Sequence, residues 1–272
     1  MHAAELAGEP LTWHSADGLT WPGCPSKAIM HAYANPARFL HLARLLTGPL
    51  LLSGIVVSAA ALLWGLLGAP PEQLQGETVR ILFVHVPAAW LGMGGWIAIA
   101  AASLAELVWR HPLAGIAARA AALPGAWFAA LCLATGSLWG RPAWGAWWVW
   151  DGRLTSMLVL FFLYCAYIAL ADAAARNGQA SSRVAAIFGL VGAVNIPIIH
   201  YSVLWWNSLH QPPSITAGKS AMAPEFLWGL LAATFGFSLI FAGLVLIRMR
   251  SLLAQSQAEA RLRRRAMETA DA

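Results

Sequence analysis

Charged residues are scarce in this chain. Only 11% of its 272 residues are charged, whereas 59% are hydrophobic. A soluble domain carries about 25% charged residues, because its surface must be solvated. This composition therefore excludes a soluble globular domain and predicts an integral membrane protein.

Three further features are missing, and each excludes a class of protein. The three cysteines, Cys24, Cys132 and Cys165, stand in separate segments and indicate no disulfide framework. No glycine-rich phosphate-binding loop is present, so we expect no ATP hydrolysis by this chain itself. The first forty or so residues lack the apolar core of a cleaved signal peptide. We expect residues 1–29 to be a loosely structured extension, with Met30 as an alternative start.

Long apolar runs dominate the remainder of the sequence. A run of about 20 apolar residues is needed to cross a hydrocarbon core of ~30 Å. Six runs qualify, at roughly 46–67, 87–109, 120–138, 154–172, 184–202 and 225–247. They predict an all-α membrane protein, a bundle of six transmembrane helices over residues 45–250. Residues 1–44 are then an amino-terminal cytoplasmic segment, and residues 251–272 a basic cytoplasmic tail.

The distribution of lysine and arginine predicts the orientation of the bundle, because positively charged loops stay in the cytoplasm. Thirteen of these residues fall on the side that holds both termini. The opposite side has only Arg80, Arg141, Arg153 and Lys219. We therefore expect cytoplasmic termini. The excess of positive charge lies where topology requires it, so it does not indicate a nucleic-acid partner.

Tryptophan is concentrated in one outer loop, WGRPAWGAWWVWDGRLTS, residues 139–156. One or two tryptophans at a membrane surface usually act as interfacial anchors, and we expect that role for Trp90, Trp96, Trp205, Trp206 and Trp228. Anchoring does not require five tryptophans within twelve residues. The five are Trp139, Trp144, Trp147, Trp148 and Trp150. The aspartate that follows them, Asp151, is a suitable N-cap for the fourth span, and it could also fix the loop.

Three of the eight histidines lie near the outer surface. We expect His85 to open the second span, with Pro87 in the first helical turn, where a missing N–H is tolerated. His200 falls near the outer end of the fifth span and His210 in the third outer loop. By topology, His85, His210 and the tryptophan loop share one face of the membrane.

These residue types together favour a haem site. Two imidazoles can occupy both axial positions of a haem iron, and indole rings offer flat apolar area to a porphyrin. Arg141 and Arg153 flank the tryptophans. We hypothesise that at least one of them pairs with a haem propionate.

The tryptophan loop resembles the WWD signature of the haem-handling proteins of cytochrome c maturation. HVPAAW and NIPIIHYSVLWWNSLHQ resemble the histidine segments of the CcmC branch of that family, and the similarity covers most of residues 40–250. Ala146, Gly152 and Met157 depart from the family pattern, which has threonine, alanine and glutamate there. Six spans and two outer histidines favour CcmC over CcmF and CcsA, which have more spans.

The resemblance implies a haem-delivery protein of the bacterial inner membrane rather than an enzyme. It implies that His85 and His210 bind the iron of haem b as axial ligands on the periplasmic side. It also implies a haem-contacting surface made by the five loop tryptophans and Asp151. The implied partners are the periplasmic haem chaperone CcmE, the small membrane protein CcmD and the ATP-binding-cassette proteins CcmA and CcmB.

Three other functions remain open from the sequence. A haem transporter would need polar groups along the bundle interior, and the spans contain little beyond Glu106, Asp172 and Asn195. A scaffold subunit would recruit CcmE or CcmD without holding haem. A quinone-linked cytochrome would also use two histidines, but usually within facing helices.

Overall fold

The computed structural model describes residues 35–177, 182–206, 208–210, 214–216 and 219–270. Its α-helices are α1 (Pro36–Leu63), α2 (Leu82–Trp109), α3 (Ala114–Trp144), α4 (Gly152–Arg176), α5 (Arg183–Gly192), α6 (Asn195–Trp205) and α7 (Pro224–Ala270). A π-helical turn, Trp64–Gly68, extends α1, and a 3₁₀ helix, Glu77–Ile81, precedes α2. The short strands β1 (Ile215–Thr216) and β2 (Lys219–Ser220) pair antiparallel, with Ile215 opposite Ser220. Cys24 and the predicted extension lie outside the described residues.

The prediction of six transmembrane helices is confirmed, since six helical stretches of the described chain are long and apolar enough to cross a membrane. Most of these helices extend beyond the predicted apolar runs. The last helix continues to Ala270 and so includes residues predicted as a tail. Residues 251–270 are rich in alanine, leucine, glutamine and arginine, which favour helix even outside the membrane.

Small residues allow α1 and α7 to approach closely. The buried positions of α1 are all small: Ala43, Thr47, Gly54, Ser58 and Ala61. A Cβ atom at Gly54 would lie 2.8 Å from the backbone nitrogen of Ile240, so the two backbones are almost in contact there. Helices in lipid associate through such close contacts, because lipid removes the hydrophobic drive between them.

Trp96 is a core residue, so its prediction as an interfacial anchor was wrong. It is fully buried, packs edge-on against Tyr164 with ring centroids 4.9 Å apart, and donates its indole N–H to the Gly189 carbonyl at 3.1 Å. Its position halfway along α2 places it at the depth of the bundle core. The other four predicted anchors are largely exposed, as an anchor must be: Trp90, Trp205, Trp206 and Trp228.

The fifth span is broken between α5 and α6. Pro197 has no N–H to donate to the Ala193 carbonyl, so the regular helical ladder is interrupted just before it. The Asn195 side chain at the break donates to the Ser156 carbonyl of α4 at 2.9 Å. This bond fixes α6 against the start of α4, where the outer site lies.

Candidate functional site

The predicted tryptophan loop is divided between a helix and a connecting segment. Helix α3 continues to Trp144 and ends where Gly145 adopts a φ of 77°. Trp139 and Trp144 therefore lie on α3, whereas Trp147, Trp148 and Trp150 lie in the connection to α4, which begins at Gly152. The prediction of a single loop over residues 139–156 was wrong, because Gly140 and Pro142 look like helix breakers but are accommodated inside α3.

His85 projects from α2 and is held by α3. Its Nδ1 lies 3.1 Å from Thr135 Oγ1, and its ring meets the edge of Trp139 with centroids 5.6 Å apart. The ring also fits closely over Gly136, where an added Cβ would lie 3.0 Å from His85 Cε1. The position of the imidazole is thus set by helix–helix packing.

The helical path begins before His85, which was predicted to open the second span. Because Glu77–Ile81 already forms a helical turn and pairs Glu77 with Arg80 at 2.7 Å, the helix path begins before the apolar run. Pro87 is therefore inside α2 and not in its first turn, which corrects the prediction.

The loop after α1 contributes Gln75, which the sequence did not indicate. Its side-chain oxygen accepts a hydrogen bond from Trp139 Nε1 at 2.9 Å, and its backbone N–H donates to Glu72 Oε2 at 2.7 Å. This contact orients Trp139 beside His85. Thr135 was also missed, although its place one helical turn before Trp139 puts both on one face of α3.

Asp151 joins the start of α4 to His210. Its Oδ1 accepts from the Leu154 N–H at 2.8 Å, so the predicted N-cap is confirmed. Its Oδ2 lies 2.7 Å from His210 Nδ1 and also accepts from Ser208 Oγ at 2.7 Å. The carboxylate side chain is 6% exposed and the imidazole 18%. One aspartate therefore caps a helix and orients a histidine.

The electrostatics of this pair favour a carboxylate beside a neutral imidazole. Burial raises the pKa of Asp151, but hydrogen bonds from Leu154, Ser208 and His210 outweigh it and hold that pKa below the ordinary value. Burial lowers the pKa of His210 below 6.5, although Asp151 opposes this change. His210 is accordingly neutral near pH 7, the form that binds a metal.

The tryptophans associate with the two histidines separately. Trp144 packs against His210 with ring centroids 4.8 Å apart, as Trp139 does against His85. Trp148 and Trp150 contact each other with ring centroids 5.5 Å apart. Trp150 is 77% exposed and Trp147 57% exposed, so these two indoles face outward. Trp148 Nε1 is buried without a hydrogen-bond partner among the described residues.

Arg153 lies near both histidines. The charge of Arg153 interacts with His85, His210 and Asp151, and its guanidinium donates to the His200 carbonyl at 3.3 Å. Arg141 is exposed and donates to the Gly145 carbonyl at 2.6 Å.

The structure places His85 and His210 at the same end of the bundle, close enough for their charges to interact. Their contacts on α3, Gly136 and Trp144, are eight residues apart, which corresponds to about 12 Å along a helix. The His200 ring, on α6, contacts Tyr201, and the His200 carbonyl accepts from Arg153.

The donor set fits a metal that brings most of its own ligands. The described residues contain no group of three or more His, Cys, Asp or Glu side chains able to hold a bare metal ion. Two imidazoles alone suit a haem iron, whose porphyrin supplies the equatorial ligands. The buried Trp148 N–H, which has no partner among the described residues, lies in the connection between α3 and α4, beside Trp150.

Comparison with known proteins gives one consistent family. The family model "Heme exporter protein C" matches residues 29–264. The chain is similar to "Heme exporter protein C" of Bradyrhizobium diazoefficiens, with 50% identity over 80% of this chain and 82% of the relative. The Escherichia coli K12 protein of that name is 43% identical over 82% of this chain and 90% of the relative. A Marchantia polymorpha "Putative cytochrome c biosynthesis ccmC-like mitochondrial protein" is 46% identical over 59% of this chain and 67% of the relative. The chain therefore belongs to the heme exporter protein C family, CcmC.

Proposed function

We propose that this chain binds one haem b at the periplasmic end of its bundle and delivers it to the chaperone CcmE during cytochrome c maturation. The axial ligands are Nε2 of His85 and Nε2 of His210. The observation that supports this most strongly is that Thr135 and Asp151 engage Nδ1 of the two rings. In each imidazole, Nε2 is then the nitrogen left for iron.

The surrounding side chains suit a cargo that must be held and then released. When bound, haem supplies an iron with two axial positions. Trp139 and Trp144 pack beside the two ligands, and Trp147 and Trp150 present apolar area at an exposed edge, where another protein has access. Arg153 supplies a positive charge near both ligands for a propionate. The exposed Arg141 is the weaker candidate for this pairing.

The names of the relatives support haem handling and cytochrome c biosynthesis as the setting of this activity. The proposal includes CcmD, CcmA and CcmB as partners in the inner membrane, with ATP hydrolysis assigned to the cassette proteins. Both termini face the cytoplasm, in agreement with the excess of basic residues on that side. Residues 45–250 form the membrane domain, between the segment 1–44 and the tail 251–272.

Transmembrane export of haem by this chain alone is the second candidate, because the relatives are named exporters. The bundle interior favours delivery instead. Asp172 is paired with Arg119 at 2.8 Å, and Asn195 donates to the Ser156 carbonyl. These groups serve helix packing and do not line an open polar path. Vesicles that contain only this protein and enclosed haem should therefore show no export, and export without partners would favour transport.

Transfer to CcmE tests delivery directly. We expect haem-loaded wild-type protein to pass haem to CcmE, whereas His85→Ala and His210→Ala, each left with one of the two imidazoles, should bind haem more weakly and fail to transfer it. His200→Ala is the matched control, since His200 lies outside the donor pair, and it should behave as wild type. A His85→Ala protein that still binds CcmE and still delivers haem would indicate a scaffold instead.

A further inference from the structure

The tautomer of His210 follows from its partner. A carboxylate has only acceptor atoms at neutral pH, so a ring nitrogen 2.7 Å from Asp151 Oδ2 must carry the proton. The proton is therefore on Nδ1, and the lone pair is on Nε2. The Ser208 hydroxyl, which donates to the same oxygen at 2.7 Å, keeps the carboxylate in place.

The tautomer of His85 follows from a longer chain of bonds. Thr135 has a single hydroxyl proton, and it donates this proton to the Leu131 carbonyl at 2.7 Å in the preceding turn of α3. Its oxygen is then left to accept from His85 Nδ1 at 3.1 Å. Cys132 Sγ, 4.0 Å from the same nitrogen, is a weaker neighbour. His85 thus has the same tautomer as His210, but its acceptor is neutral.

We propose that Asp151 and Thr135 are positioning residues that keep the Nδ1 proton on His210 and His85, and that the carboxylate makes His210 the stronger of two unequal iron ligands. This inference rests on the proposed haem ligation. Hydrogen bonds to the second nitrogen of a ligating histidine fix its orientation and raise its basicity. A charged acceptor does so more strongly than a hydroxyl.

Asp151 needs a substitution that separates its two functions. Asparagine is as good an N-cap as aspartate, so Asp151→Asn should keep the bond to the Leu154 N–H. Its amide NH₂ would then face His210 Nδ1 and donate to it, which shifts the ring proton to Nε2 and blocks the iron-binding lone pair. A purely structural role for Asp151 predicts no such change.

For Thr135, Thr135→Val removes the hydrogen-bond acceptor at nearly constant side-chain volume, and Thr135→Ser restores it.

Ser182→Ala is the control for the capping role of Asp151. Ser182 caps α5 by accepting from the Ala185 N–H at 3.2 Å, and it has no histidine partner among the described residues.

The test uses the full chain in nanodiscs and two measurements. Nitrogen NMR of ¹⁵N-histidine in the haem-free protein reports the tautomers, and haem titration reports affinity. We expect Nδ1–H signals for His85 and His210 in wild type, reversed at His210 in Asp151→Asn. Haem binding should weaken about 10–100-fold in Asp151→Asn and about tenfold or less in Thr135→Val. Thr135→Ser and Ser182→Ala should bind haem as wild type does.

The two measurements distinguish failure of this inference from failure of the proposed function. Wild-type protein that binds no haem, yet shows both Nδ1–H tautomers, would contradict the function and leave the hydrogen bonds supported. Wild-type tautomers in Asp151→Asn, or haem affinity unchanged in that variant, would overturn the positioning role. An equal or larger loss in Thr135→Val would overturn the inequality of the ligands.

Discussion

His85 and His210 are held in contrasting ways. His85 lies on a long helix and packs against Gly136 and Trp139 of α3, so many contacts fix its ring. His210 follows α6 outside any helix, and its ring is fixed by Asp151 and Trp144. The position of the first imidazole therefore depends on helix packing, and that of the second depends on one carboxylate. Substitutions around His85 should therefore impair haem binding through altered packing, and substitutions around His210 through the loss of its hydrogen bond.

Among substitutions of the residues that support the two histidines, Asp151→Ala should have the largest effect on haem binding. It removes the hydrogen bond to His210 and the cap of α4 together, whereas asparagine keeps the cap. We expect about 100-fold weaker haem binding and a cap loss of about 1 kcal/mol. Haem titration and thermal denaturation measure the two effects. Equal stability of the alanine and asparagine variants would contradict the double role.

Gly136→Ala tests the packing that holds His85. The added methyl group would lie 3.0 Å from His85 Cε1, so the ring must shift by a few tenths of an ångström. We expect about tenfold weaker haem binding, because loss of the groups that support a metal-binding histidine typically lowers metal affinity about 10–100-fold. Gly94→Ala is the matched control on α2, since nothing lies within 4 Å of its added methyl group. If both variants bind haem equally, packing does not position His85.

Gln75→Ala should have a smaller effect, because Gln75 acts through Trp139. Loss of this neutral hydrogen bond should weaken haem binding by less than about tenfold, and it should shift the indole N–H signal of Trp139 in the nitrogen NMR spectrum. Gln73→Ala, at an exposed position in the same loop, is the control. An unchanged indole N–H signal of Trp139 in Gln75→Ala would show that Trp139 does not need this partner.

Trp96→Phe should affect stability and leave haem binding within about twofold of wild type. The substitution removes the hydrogen bond to the Gly189 carbonyl and some buried volume, far along α2 from the site. A net hydrogen bond contributes about 1 kcal/mol, so thermal denaturation should occur at a lower temperature. A large loss of haem binding would mean that the core and the site are coupled.

The sequence predicted the six spans and the capping role of Asp151, because both depend on local patterns of apolar length and turn chemistry. It could not predict the pairs Asp151–His210 and Thr135–His85, since these residues are 59 and 50 positions apart and meet only in the folded bundle. Gly140 and Pro142 suggested a loop, but α3 continues through both of them to Trp144. Trp96 was misassigned because tryptophan as a residue type favours the membrane interface, whereas its position halfway along α2 decides its role.

Both imidazoles are proposed to bind one iron, and low-temperature electron paramagnetic resonance of the ferric protein with one equivalent of haem measures this ligation. We predict a single low-spin signal for wild type, replaced by a high-spin signal in both His85→Ala and His210→Ala. A low-spin signal that survives unchanged in either variant would show that the removed imidazole does not bind the iron.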